Sequence, residues 1–233
     1  MNGQREDGVA IVIVLMAITL CVALGLAVAL TTGTEVAVAA SYRNGAEVRH
    51  AADAGLELAI ADLSTVPNWN SVLDGSTRSG FADGPPSGIR RLADGTAIDL
   101  GQLINMADCE KPAPCSLADL DAVTAYRPWG ANNPRWQLYA YGRLADTAPG
   151  TVNSQCYLVV LVGDDQAEND GDSTRDGAST HNPGSGALAL RAEAFGPGGV
   201  HEAVESTVVR AGDPAAPSAL GRALRVLSWR ELR

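Results

Sequence analysis

The stretch VAIVIVLMAITLCVALGLAVAL, residues 9–30, decides the fold. It runs for 22 residues without a charge. A helix of roughly 20 apolar residues spans the ~30 Å hydrocarbon core of a bilayer. The leader before it, MNGQREDG at 1–8, holds one Arg and two acids and ends in Gly8; the next charge after Asp7 is Glu35. A secretory signal peptide starts basic and has an apolar core of roughly 7–15 residues. This leader is not basic and this core is longer. Val38-Ala39-Ala40 offers a small-residue site to a signal peptidase, so a discarded signal stands as one alternative and a plain uncleaved anchor as another. The leader sets little positive-inside bias.

Beyond the apolar run, TTGTEVAVAASYRNGAEVRHAADAGLELAIADL (31–63) keeps a helical period. Ala51, Ala54, Leu58 and Ala61 recur at three- and four-residue steps, and Leu56, Ile60 and Leu63 form an adjoining stripe. Alanine, the best helix former, is abundant. Gly33, Gly45 and Gly55 weaken the helix locally, and Pro67 is its stop. The reading is one helix over 9–64, with 9–30 transmembrane, on the order of 80 Å long at 1.5 Å per residue. Its first half is apolar all round and its second half amphipathic.

These segments carry a family resemblance. GVAIVIVLMAITL at 8–20, LGLA at 24–27 and TEVAVAASYRNGAEVRHAADAGLELA at 34–59 resemble the N-terminal region of PilX-type minor pilins, a prepilin-type family. That family shows a Thr/Glu pair, here Thr34 and Glu35, and an AAEAGLE-like helix end, here AADAGLE at 51–57. The match covers about a quarter of the chain. It implies a prepilin peptidase cut between Gly8 and Val9, with Val9 as a new, methylated N-terminus. Prepilin leaders carry a basic residue before the Gly; here it is Asp7. Major pilins carry Glu at the fifth mature position, where Ile13 stands. That carboxylate pairs with a neighbour's N-terminal amine, and a buried charge without its partner is costly. A subunit at a filament tip has no subunit ahead to supply the amine, so Ile13 favours a tip or priming role. The implied partners are other major and minor pilins, the prepilin peptidase and the inner-membrane pilus assembly platform. The implied setting is the bacterial inner membrane, with an extracytoplasmic head, and then the pilus at the cell surface. A minor pseudopilin of type II secretion is the alternative from the same machinery. An uncleaved single-pass protein with a binding head is the alternative from another class.

From 65 to 233 the composition changes. Residues 67–98 are loop-rich, and LADLDAV (117–123) reads as a short helix. RWQLYAYGRLA (135–145), QCYLVVLVG (155–163), GALALRAEAFG (186–196) and VHEAVESTVVR (200–210) read as strands. The last two are joined by PGG (197–199) as a hairpin. ALRVLSWREL (223–232) fits a final strand or a short helix. The expected class is α+β: a long helix packed on an antiparallel sheet. Trp69, Trp129, Trp136 and Trp229 are expected in core or rim packing.

The chain of 233 residues has a net charge of −10 and one lysine, Lys111. Neutralising phosphates takes clustered Lys and Arg, so no nucleic-acid partner is expected. Cys21 lies inside the apolar run. Cys109 and Cys115 flank a Pro-rich loop and are disulfide candidates outside the cytoplasm; pairing of either with Cys156 stays open. No GxSxG, HExxH, GxxxxGK[ST] or helix-opening GxGxxG occurs. His50, His181 and His201 sit in different elements, and no enzyme is expected. The densest cluster, GDDQAENDGDSTRDGAS (163–179), holds Asp164, Asp165, Glu168, Asp170, Asp172 and Asp176 against Arg175. Carboxylates at alternate positions around a Gly turn suit Ca²⁺, with Asp170, Asp172 and Asp176 as ligand candidates. The EF-hand template fails, and the plain alternative is a solvated loop with no cofactor.

Overall fold

The computed structural model describes residues 6–168, 171–177, 184–211 and 223–232. Its first element, α1 (Glu6–Leu63), is one uninterrupted α-helix. The chain divides into two compact units, Met1–Asn44 and Gly45–Arg233. In the first unit every residue from 8 to 43 is exposed. The second unit contains the end of α1 and the head.

The head is built on a five-stranded antiparallel meander: β3 (Gln137–Arg143), β4 (Tyr157–Asp164), β5 (Ala187–Phe195), β6 (His201–Arg210) and β7 (Leu224–Leu232), paired in that order. Before it come α2 (Asn70–Leu73), a small hairpin of β1 (Ile89–Arg91) and β2 (Ala97–Asp99), α3 (Leu100–Cys109) and α4 (Leu117–Leu120). The C-terminal tail is therefore a strand. It runs against β6 with Glu205 opposite Arg230, a cross-strand pair whose side chains also form an ion pair.

Both faces of the central strands are covered, which is why β4 reads as an unbroken apolar run. On one face Leu158, Val160 and Val162 join Leu188, Leu190, Ala192, Val204 and Val208 against the end of α1. The α1 face buried there is Val48, Ala51, Ala52, Leu56, Ala59 and Leu63. Of the expected positions Ala51, Leu56 and Leu63 are buried and Leu58 and Ile60 pack partly buried on the core, while Ala54 and Ala61 face solvent, because the sheet selects the side of the helix where Ala52, Gly55 and Ala59 let the two backbones approach. A Cβ added at Gly55 would make ordinary contact with Val160, Ala192 and Leu158, at 3.5–3.7 Å. On the opposite face Tyr157, Val159 and Leu161, with Trp136, Leu138 and Tyr141, are covered by Ile98, Leu100, Leu103 and Ala107.

The helix end is tied down by polar groups. The Tyr139 hydroxyl donates to Asp62 Oδ2 at 3.0 Å. Trp69, 1% exposed, donates from Nε1 to the Leu63 carbonyl. The Arg210 guanidinium stacks over the Trp69 ring, 4.1 Å from its centroid, and donates to the Val66 and Pro67 carbonyls. Trp136 is also buried, Trp129 is half-buried and Trp229 is exposed. The helix α3, absent from the sequence reading, starts where the Asp99 carboxylate accepts from the Gly101 and Gln102 amides.

Candidate functional site: an exposed apolar helix and a buried carboxylate cluster

Residues 9–30 present apolar side chains on all sides of α1. From Val9 to Leu30, Ile, Leu, Val and Met side chains are each more than half exposed. At about 1.5–3 kcal/mol per side chain, covering them would be worth tens of kcal/mol. The segment is long and apolar enough to cross a membrane. Three threonine hydroxyls are satisfied within the helix: Thr19 donates to the Met16 carbonyl, Thr31 to Val28 and Thr34 to Leu30, each at 2.9 Å. That is the arrangement hydrocarbon requires, since no water is there to accept. Gly8, Val9, Ile13 and Glu35 all lie on the exposed part of α1. A Cβ at Gly8 would meet nothing within 4 Å, so nothing in the fold of the described residues calls for glycine there.

The second feature lies at the far end of β4. Alternation along the strand continues the Leu158–Val160–Val162 stripe to Asp164, which places a carboxylate at the rim of the core, 4% exposed. The chain then turns: the Glu168 amide donates to the Asp165 carbonyl, and Glu168 is 2% exposed. Asp176 approaches from the segment before β5. One carboxylate oxygen from each of Asp164, Glu168 and Asp176 lies within 4.8 Å of the other two. Two like charges about 4 Å apart repel by roughly 4 kcal/mol at an effective dielectric of 20. Burial, together with the Glu168 and Asp176 charges, pushes the Asp164 carboxyl well above the usual range.

The scaffold around these groups is specific. Asp176 donates its amide to Asn70 Oδ1 at 2.8 Å, and its own Oδ1 accepts from the Gly186 amide at 2.6 Å. The Asn132 side chain donates to the Glu168 carbonyl at 3.0 Å. Gly184, at φ +98°, sits so close that a Cβ there would lie 2.6 Å from the Glu168 nitrogen. Only glycine fits both that backbone and that gap.

Of the three expected Ca²⁺ ligands, only Asp176 belongs to this cluster. Asp172 accepts from the Thr174 amide and hydroxyl, a local turn outside the cluster, and Asp170 lies outside the described residues. Asp164 and Glu168 were visible as acids in the sequence but not as partners of Asp176. The period-two pattern of β4 is the signal that points Asp164 inward.

Other chemistry-bearing residues hold the head together. Cys109 and Cys115 form a disulfide with Cα atoms 6.1 Å apart; Cys156 is a buried free thiol, raised in pKa by burial. Glu193 receives Arg191 Nε at 2.7 Å and His201 Nε2 at 2.9 Å. Burial raises its carboxyl, but these partners outweigh that and hold it below the usual carboxylate range. His201 also stacks on Phe195, with ring centroids 4.5 Å apart. His50 is exposed on α1, and His181 lies outside the described residues. No family model matches the chain, and neither a characterised protein nor a solved structure matches it.

Proposed function

We propose that this chain is a minor pilin of a type IV pilus or pilus-like filament, acting near the tip in assembly. The observation that carries the reading is the division of labour along α1. Residues 9–30 keep an all-round apolar surface, whereas Val48 to Leu63 are a built part of the head. A helix of that kind anchors the subunit in the bilayer and exchanges lipid for the helices of other pilins without exposing its apolar surface to water. The resemblance at 8–59 supports processing between Gly8 and Val9, and Ile13 in place of a fifth-position Glu supports the tip role. The Cys109–Cys115 disulfide supports a head outside the cytoplasm, where such bonds persist.

Intact-mass and N-terminal peptide mass spectrometry on the protein from its native membrane or sheared filaments tests the proposal. A chain beginning at Val9, with or without one methyl group, supports it. A chain beginning at Met1 leaves an uncleaved anchor, and one beginning near Ser41 a discarded signal peptide; either sinks the pilin reading.

A further inference from the structure

We infer that Asp164, Glu168 and Asp176 form a binding site for a hard divalent cation of the calcium class, set at the junction of β4, the acidic loop and the start of β5. The inference is independent of the filament reading.

Three observations converge. The three carboxylate oxygens lie within 4.8 Å of one another, close enough to share one ion whose ligands sit about 2.3–2.6 Å away. Asp164, 4% exposed, has a buried Oδ1 with no hydrogen-bond partner, and the charges that act on it, Glu168 and Asp176, are both negative. A buried carboxylate with an oxygen left without a donor, beside two like charges, is costly. A cation at the shared point supplies what is missing. Gln166, in the same turn, carries a second buried oxygen, Oε1, without a partner; it is a neutral donor of the kind calcium accepts.

The site is preformed by the fold rather than by one loop. Asp164 is fixed by β4 pairing, opposite Leu188. The Asp176 backbone and carboxylate are held by Asn70 and Gly186. Glu168 is seated against Gly184. An all-oxygen set of three carboxylates favours Ca²⁺ over softer metals, which prefer sulfur and imidazole. Bound Ca²⁺ would clamp the acidic loop to the end of the α1-facing core.

The test uses the full chain in detergent micelles, stripped with EGTA and titrated with CaCl₂ by calorimetry and thermal unfolding. Saturable binding with a raised Tm is expected. Asp164→Asn and Glu168→Gln each weaken binding at least tenfold. Asp172→Asn, outside the cluster, binds as the wild type does. Two outcomes overturn the inference. One is no saturable binding up to about 10 mM Ca²⁺, beyond the 10⁻⁴–10⁻³ M range of extracellular calcium modules. The other is binding that survives both cluster variants. Should Asp164→Asn fail to fold, Glu168→Gln carries the same comparison.

Discussion

The packing of α1 on the sheet can be tested at one contact. Gly196, between β5 and β6, is buried and extended, with φ −116° and ψ 178°. Alanine therefore adopts its backbone without strain, and the whole cost of Gly196→Ala is steric. A Cβ at this position would overlap Val48 Cγ2 of α1 and reach Cys156 Sγ at 3.8 Å. Valine is stiff at χ1 and cannot swing away freely. Overpacking of this kind costs about 1–3 kcal/mol. Val48 is fully buried. Val48→Ala removes two methyl groups at about 0.8 kcal/mol each, and a residual cavity brings the loss to about 2 kcal/mol. In the double variant the added methyl enters the space the valine vacated, so the second substitution costs close to nothing. The double-mutant cycle should therefore show favourable coupling of about 1–3 kcal/mol. Urea unfolding of the full chain in micelles, followed by tryptophan fluorescence with buried Trp69 as reporter, measures it at constant m. Additivity within about 0.5 kcal/mol would refute this account of how the helix meets the β5–β6 turn.

Gly55→Ala should stabilise the chain by about 0.5–1 kcal/mol, since the helix gains propensity and the methyl finds only ordinary contacts; a loss of more than 1 kcal/mol in the same unfolding assay would contradict the spacing of α1 and β4. Opening the disulfide with a Cys109→Ser, Cys115→Ser pair should cost about 2 kcal/mol on chain-entropy grounds, because the closed loop is short; no change in urea midpoint would mean the loop is held by other contacts. Asp108 has a pKa raised to about 6, chiefly by burial, against the opposing Trp136 amide and the Arg127 and Arg135 charges. A raised carboxyl stabilises the fold fully below pH ~4, its ordinary value, and loses that contribution as pH rises through ~6. Stability of the wild type relative to Asp108→Asn should therefore fall by about 2–3 kcal/mol between pH 4 and pH 7, and a pH-independent difference would show that the carboxyl is not desolvated. Gly8→Leu should leave the chain at full length from Met1 in its native membrane, with processed protein reduced at least tenfold by mass spectrometry; normal processing would remove Gly8 from the proposed cut site.

Much of the fold was legible because its elements are written in local spacing. The charge-free run at 9–30, the alanine-rich period after it and the alternation at 186–196 and 200–210 each need only neighbours along the chain to be read. The segment 223–232 fitted either a strand or a short helix, and pairing with β6 decided for the strand. The helix α3 is short and sits beside a loop-rich stretch, so its start depends on the Asp99 cap rather than on a long period. The candidate cation cluster was half visible: the acids stand together in the sequence, but alternate spacing around Gly171 pointed to Asp170 and Asp172 rather than Asp164 and Glu168.

By itself the sequence determined that this protein has a membrane-competent helix, an amphipathic continuation of it and a β-rich head, because hydrophobic period and charge are properties of contiguous residues. Only the tertiary structure decided which stripe of α1 is buried and which three carboxylates converge. Those choices depend on where Val48 meets Gly196 and where Asp164 meets Asp176, contacts between segments brought together by sheet pairing and packing, and no single stretch of chain contains them.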